Sequence, residues 1–247
     1  MNSTWPTNSF DFGILNFLNQ LAGHSRILDA LAVTLSQAEL LKGATLMACF
    51  LWIWFQEAED NDKTRNREIV ILSLFVTTAS VLLVRALALT LPFRERPLRD
   101  PALHFRVPFT LNPHSLAGWS SFPSDHAAFF FAGATCLLFL SRRLGILALL
   151  YAFFVICLPR VYLGIHFPTD IIAGALIGSG MAFLVKVRHA QTAIAGPFLR
   201  WERLHPNQFY PFLFIFTFEV SELFASLREI GSFGFLVAKT LVAHLHH

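Results

Sequence analysis

Of the 247 residues, 55% are hydrophobic and only 14% charged, against about 25% charged in a soluble domain. With 27 Phe, a mean hydropathy of +0.55 and a net charge of just +3, the composition excludes a soluble globule, a disordered chain and a nucleic-acid binder. Cys49, Cys136 and Cys157 all lie in apolar runs, so neither a CxxC metal site nor a disulfide framework is read from them.

The chain begins MNSTWPTNSF, without the basic stretch of a cleaved signal, and the first span is expected to act as its own insertion signal. Ile14, Leu15, Phe17, Leu18 and Leu21 share one helical face, with Asn16, Asn19 and Gln20 opposite. That spacing predicts an amphipathic helix lying on the membrane surface. A short span over 12–36 is the weaker reading, because His24, Arg26 and Asp29 would then sit in hydrocarbon.

Apolar runs follow at 41–55, 69–91, 127–140, 144–158, 171–187 and 209–224. A membrane helix needs about 20 residues, and several of these runs are shorter, so each alone would suit a buried helix of a soluble protein. Six of them with so few charges between favour the bilayer. The fold expected is all-α, a polytopic membrane helix bundle of about six transmembrane helices. An N-terminal interfacial segment (1–38) precedes a membrane core (39–190), and a C-terminal membrane helix and tail (191–247) follow.

Alternate loops collect Lys63, Arg65, Arg67, Arg142, Arg143, Lys186, Arg188, Arg200 and Arg203 on one side, and Arg26, Arg94, Arg96, Arg99, Arg106 and Arg160 on the other. The positive-inside rule puts the first set in the cytoplasm. The long polar connection, 92–125, then lies outside and is expected to form an ordered cap over a site.

Three polar clusters fall at that outer face: LPFRERP with Arg94 and Arg96, SFPSDHA with Ser124, Asp125 and His126, and PRVYLGIHFPTD with Arg160, His166 and Asp170. Each has a bland reading as headgroup anchor, helix cap or structural histidine. Together they combine arginine forks that match phosphate oxygens, a helix N-terminus that favours anions, and acid and base groups. The constellation suits phosphoryl chemistry. Trp119 and Tyr162 read as interface anchors. His104 and His114 lie in the cap loop, and His189, His205 and the terminal HLHH read as solvated.

The clusters resemble the type 2 phosphatidic acid phosphatase superfamily, which includes the vanadium haloperoxidases and has the pattern K-x6-R-P, P-S-G-H and S-R-x5-H-x3-D. Arg96-Pro97, Pro123-Ser124-Asp125-His126, and Arg160, His166 and Asp170 match in order and spacing. Leu89 stands where the first-motif lysine belongs, Asp125 replaces the glycine and Pro159 the serine. Arg85, on the same helical face as Leu89, or Arg94 is the candidate replacement cation. Asp125 is open to three settings: facing Arg94, facing an ordered water, or acting as a helix N-terminal charge.

The resemblance implies a double displacement without cofactor or metal. His166 would be the nucleophile, oriented by Asp170, and His126 the general acid and then base. Arg96, Arg160, Ser124 and backbone N–H groups at the third helix start would hold the phosphate oxygens, with Arg85 or Arg94 as a further donor. The expected protein is an integral-membrane phosphatase of the bacterial inner membrane whose site faces the periplasmic or extracellular side. Its expected partners are the bilayer and a lipid phosphate or diphosphate such as undecaprenyl diphosphate, phosphatidylglycerol phosphate or phosphatidic acid. A lipid phosphotransferase using the same site is the nearest rival; a non-enzymatic lipid-binding or transport protein is the rival from another class.

Overall fold

The computed structural model describes residue 5 and residues 8–57, 59–109, 111 and 118–223, except the side chain of residue 39. His114, the terminal HLHH and the last residue of the sixth apolar run lie outside these. The described residues form α1 (Ser9–Asn19), α2 (Arg26–Gln37), α3 (Gly43–Phe55) and α4 (Asp60–Thr90). After the polar connection come α5 (Asp125–Leu140), α6 (Arg142–Tyr162), α7 (Pro168–Lys186), α8 (Gly196–Leu204) and α9 (Pro206–Ser221). There is no strand among the described residues.

Within the described residues all six apolar runs are helical, and three helices among them (α4 with 31 residues, α6 with 21 and α7 with 19) are long and apolar enough to cross a membrane. The apolar helices α3 and α5 are shorter, and α9 has 16 residues. Two boundaries differ from the apolar runs for local reasons. Helix α4 starts nine residues early, with Asp60 and Asp62 in its first turn, where acidic side chains complement the helix dipole. Helix α6 passes through a π-helical segment at Ala152–Cys157 and continues to Tyr162. Arg160 therefore rides on the end of a helix rather than in a loop.

Helix α5 is the hub, packed against α4, α6 and α7 and buried along most of its length from Ala127 to Leu137. On α7, Gly174 and Gly178 face it. A Cβ at Gly174 would sit 2.3 Å from the Ser124 carbonyl oxygen, and one at Gly178 would sit 2.1 Å from that of Ala128. Only glycine permits so close an approach of two backbones, the small-residue device of membrane helix pairs. Large apolar side chains such as Leu82, Leu89, Leu147, Leu176 and Phe214 point outward, as expected of a bundle solvated by lipid.

At one end of the bundle, Arg67 pairs with Glu202 at 3.0 Å and Arg188 with Glu68 at 2.7 Å. These pairs gather two of the basic residues assigned to one side, Arg67 and Arg188. The opposite end carries the three motifs and the N-terminal helices. Helix α1 exposes Phe10, Phe12, Ile14 and Phe17, and the turn after it exposes Leu21, but α1 turns Asp11 and Leu15 inward. The expected apolar face is thus largely outward, and the inward face is set by a carboxylate. Helix α2 repeats the arrangement. Ile27 and Leu31 point out, whereas buried Asp29 accepts from the backbone N–H of Gly23 at 3.2 Å and Phe109 at 3.1 Å and from the Tyr162 hydroxyl at 2.5 Å. Tyr162 is accordingly a buried strut rather than the interface anchor its residue type suggested.

Candidate active site

The close contact of α5 with α7 joins the second and third motifs. Ser124, the N-cap of α5, donates its backbone N–H to the Asp170 carbonyl at 3.1 Å. Pro168 opens α7 and Asp170 lies in its first turn, where proline's missing N–H costs nothing and a carboxylate is favoured. Gly164, at φ +68°, makes the turn before it; a Cβ there would meet the Phe105 ring at 2.6 Å. The Gly164 carbonyl accepts from Leu98 N–H at 2.9 Å, which ties the cap loop to the same turn.

His166 is 3% exposed. Its Nδ1 lies 2.9 Å from the Ser121 carbonyl oxygen and 3.6 Å from Asp170 Oδ2. A carbonyl can only accept, so Nδ1 carries the proton and Nε2 keeps the lone pair. The shorter orienting contact is therefore Ser121 rather than Asp170, whose Oδ2 accepts from Phe167 N–H at 2.8 Å. Burial pushes the His166 pKa below its ordinary value of 6.5, with Asp170 opposing and Arg96 reinforcing the shift. The imidazole is held neutral.

Arg94 lies on the far side of Asp170. Its Nη1 contacts Asp170 Oδ1 at 2.5 Å and Thr169 Oγ1 at 2.8 Å, and its Nη2 contacts Asp11 Oδ2 at 2.7 Å. The Phe167 ring lies 4.0 Å from the guanidinium carbon. Arg94, expected as a candidate phosphate donor, thus spends both terminal nitrogens on two buried carboxylates.

His126 Nδ1 is 2.8 Å from Asp125 Oδ1, and Asp125 Oδ2 is 2.8 Å from Arg85 Nη2. Of the settings open to Asp125, Arg94 is not its partner. Asp125 bridges Arg85 and His126, and its Oδ1 also accepts the His126 N–H at 2.8 Å. Two N–H groups expected to meet phosphate oxygens are likewise taken up: Ser124 N–H by Asp170 and Ala127 N–H by Ser124 Oγ at 3.4 Å. The reason is partly local, because Asp125 and the Ser124 N-cap satisfy the His126 and Ala127 N–H groups from within the helix start, and partly tertiary, because the Ser124 N–H is taken by α7.

Arg96 donates through Nη1 to the Ile165 carbonyl at 2.8 Å, while its buried Nε has no hydrogen-bond partner among the described residues. The Nε of Arg85 is in the same state. An unsatisfied buried guanidinium N–H is costly and marks where an anion would be welcome. Burial lowers the Arg96 pKa, opposed by Asp125 and Asp170. Arg160 donates to the Ile156 carbonyl at 2.8 Å and the Ser36 carbonyl at 3.3 Å, and lies within electrostatic range of His126. The Ser124 hydroxyl oxygen accepts from Ala127 and keeps its own proton to donate.

The site residues named from the sequence, His126, His166, Asp170, Arg96, Arg160, Ser124, Arg94 and Arg85, therefore gather at one end of the bundle. Asp11 and the two helix-contact glycines were missed. The G-x3-G spacing of Gly174 and Gly178 was the available signal for the glycines. Asp11 offered only a lone acid among apolar neighbours. His104 is exposed, as is Trp119, whose ring centroid lies 5.6 Å from the Arg85 guanidinium carbon.

The sequence profile of the PAP2 superfamily matches residues 69–194, just over half of the chain and all three motifs. An undecaprenyl-diphosphatase of Sulfolobus acidocaldarius is 39% identical over 85 residues, 34% of this chain and 39% of that protein; the chain spans about two fifths of that relative's length. A putative undecaprenyl-diphosphatase of Escherichia coli K12, YbjG, is 25% identical over 170 residues, 69% of this chain and 78% of that protein. The crystal structure of Aquifex aeolicus LpxE shares the fold, with a TM-score of 0.51 at 22% identity over 75% of this chain and 99% of that one.

Proposed function

Because the chain belongs to the PAP2 superfamily, we propose that it is an integral-membrane phosphatase that hydrolyses a lipid phosphate or diphosphate through a phosphohistidine at His166. One observation carries the reading: both histidines are held through Nδ1, His126 by Asp125 and His166 by the Ser121 carbonyl. Both are thus left with Nε2 for chemistry.

In the first step Nε2 of His166 forms a bond to phosphorus as the bond to the leaving oxygen breaks, and His126 gives that oxygen a proton. In the second, water attacks phosphorus, His126 takes its proton, and the P–N bond breaks to release phosphate and neutral His166. Arg96 and Arg160, with the Ser124 hydroxyl, stabilise the equatorial oxygens, the electrostatic work on which phosphoryl transfer chiefly depends. Arg96 has an unspent Nε for this. The two buried carboxylates that hold Arg94 favour Arg85, whose Nη2 meets Asp125 but whose Nε is unspent, as the candidate in place of the first-motif lysine.

A site at the end of the bundle admits a headgroup while the tail stays in the bilayer. The positive-inside rule puts this end on the non-cytoplasmic side, the outer face of a bacterial inner membrane. The two undecaprenyl-diphosphatase relatives make undecaprenyl diphosphate the first substrate to try, followed by phosphatidylglycerol phosphate and phosphatidic acid. The test is phosphate release from these three lipids by the purified protein in detergent with EDTA present. Release from at least one, abolished in His166→Ala, is expected. No release from any of them, or transfer of the phosphoryl group to an added long-chain alcohol with no free phosphate formed, would overturn hydrolysis as the activity.

A further inference from the structure

We infer that Asp11, on the N-terminal helix α1, is a positioning residue of this site that acts on His166 through Arg94 and Asp170. The inference rests on the phosphohistidine reading above. Asp11 is fully buried, and each of its carboxylate oxygens is engaged at the third motif. Oδ1 accepts the Thr169 backbone N–H at 2.9 Å, and Oδ2 accepts from Thr169 Oγ1 at 2.6 Å and Arg94 Nη2 at 2.7 Å. Thr169 lies in the first turn of α7, so Asp11 supplies from another helix the partner of the Thr169 N–H, beside the local contact of Asp170 with the Phe167 N–H. Asn8, the N-cap of α1, holds Asp11 in turn, donating its side-chain amide at 3.2 Å and accepting the Asp11 backbone N–H at 2.8 Å.

The electrostatic consequence follows from counting charges. Arg94 is buried between Asp11 and Asp170. With Asp11 present the trio carries one net negative charge, and Asp170 faces His166 as a carboxylate whose counter-ion is already shared. With Asp11 neutral, Arg94 would belong to Asp170 alone, the trio would carry no net charge, and the field at His166 would become more positive. When His166 bonds to phosphorus its ring becomes cationic, and a net negative trio beside it stabilises that cation in a low-dielectric setting. Asp11 thus frees the charge of Asp170 for the imidazole, without touching substrate.

The charged and titratable groups facing His166 are Asp170 from α7, Arg96 from the cap connection and Asp125 from α5, with Arg94 and Asp11 behind Asp170. Of these, substitution at Asp11 changes the charge without altering a direct neighbour of the ring.

The experiment is the pH dependence of kcat/KM, with burst amplitude, for p-nitrophenyl phosphate and the full chain in detergent, comparing wild type with Asp11→Asn and Asp11→Glu. In Asp11→Asn, phosphohistidine formation per active site should slow about 10- to 100-fold, the scale of one charged hydrogen-bond contact. KM should hold, and the acid limb should move to lower pH because a cationic His166 is harder to form. Asp11→Glu, which keeps the charge, should retain the wild-type limb. A purely structural role predicts a smaller burst amplitude with an unmoved limb in Asp11→Asn, and that result would overturn the inference. So would a limb in Asp11→Glu that departs from the wild-type limb, a test that stands even where the Asn protein fails to fold. A wild-type protein that makes no phosphohistidine would instead sink the proposed function itself.

Discussion

Arg85 Nη2 and Asp125 Oδ2 meet at 2.8 Å across α4 and α5, and each residue marks a departure from the family pattern. The first motif lacks its lysine, with Leu89 in place and Arg85 one turn earlier; the second motif carries Asp125 where glycine is expected. In space the two departures answer one another. The added carboxylate takes up the relocated cation and, through its other oxygen, holds Nδ1 of His126.

If Asp125 orients the general acid, Asp125→Asn should penalise leaving groups by their need for a proton. Turnover of a lipid phosphate, whose leaving oxygen must be protonated, should fall about 10- to 100-fold, within the general-acid contribution. p-Nitrophenyl phosphate should lose much less. The ratio of the two rates is the measurement, and equal losses would remove Asp125 from the acid's support.

As the proposed nucleophile His166 must be neutral to attack, and burial holds its pKa below 6.5. The nucleophile is therefore available at and above pH 6.5 and is lost only as pH falls through its lowered pKa. The acid limb of kcat/KM, which reports the free enzyme, should lie below pH 6.5. A limb at or above that value would show that His166 is not the group titrating.

The helix contact is equally testable. Gly178→Ala inserts a methyl 2.1 Å from the Ala128 carbonyl oxygen and must push α7 from α5. It should destabilise by about 1–3 kcal/mol and reduce activity, because the same contact sets the distance from the second motif to the third. Gly180, with nothing within 4 Å of a Cβ, is the control. Thermal midpoints in detergent decide the matter, and equal effects of the two alanines would contradict the packing argument.

Much of this was legible in the sequence because membrane helices and motif spacings are local signals. The six apolar runs and the Arg160, His166, Asp170 spacing needed no tertiary knowledge. What escaped were partnerships across distant segments. Asp11 and Arg94 are separated by 83 positions, and no periodicity in α1 announces which face a single carboxylate will choose. The choice between Arg85 and Arg94 stayed open for the same reason: an arginine beside a phosphate motif looks like a donor until its own carboxylates are found. Tyr162 looked like an interface anchor because its buried partner, Asp29, lies 133 positions away.

Orientation has its own test. A cysteine at the exposed Trp119, beside the second motif, should react with an impermeant thiol reagent added to intact cells, whereas one at the exposed Asn61 should not. The reverse pattern would place the site in the cytoplasm.

The central claim is a division of labour between two histidines, and pre-steady-state turnover of p-nitrophenyl phosphate tests it most directly. Nitrophenolate leaves without a proton, so His126→Ala should still form phosphohistidine and release a burst of nitrophenol, then stall because water is no longer activated. His166→Ala lacks the atom that bonds to phosphorus and should give no burst. Equal bursts from both variants, or a burst from His166→Ala alone, would contradict the assignment of His166 as nucleophile.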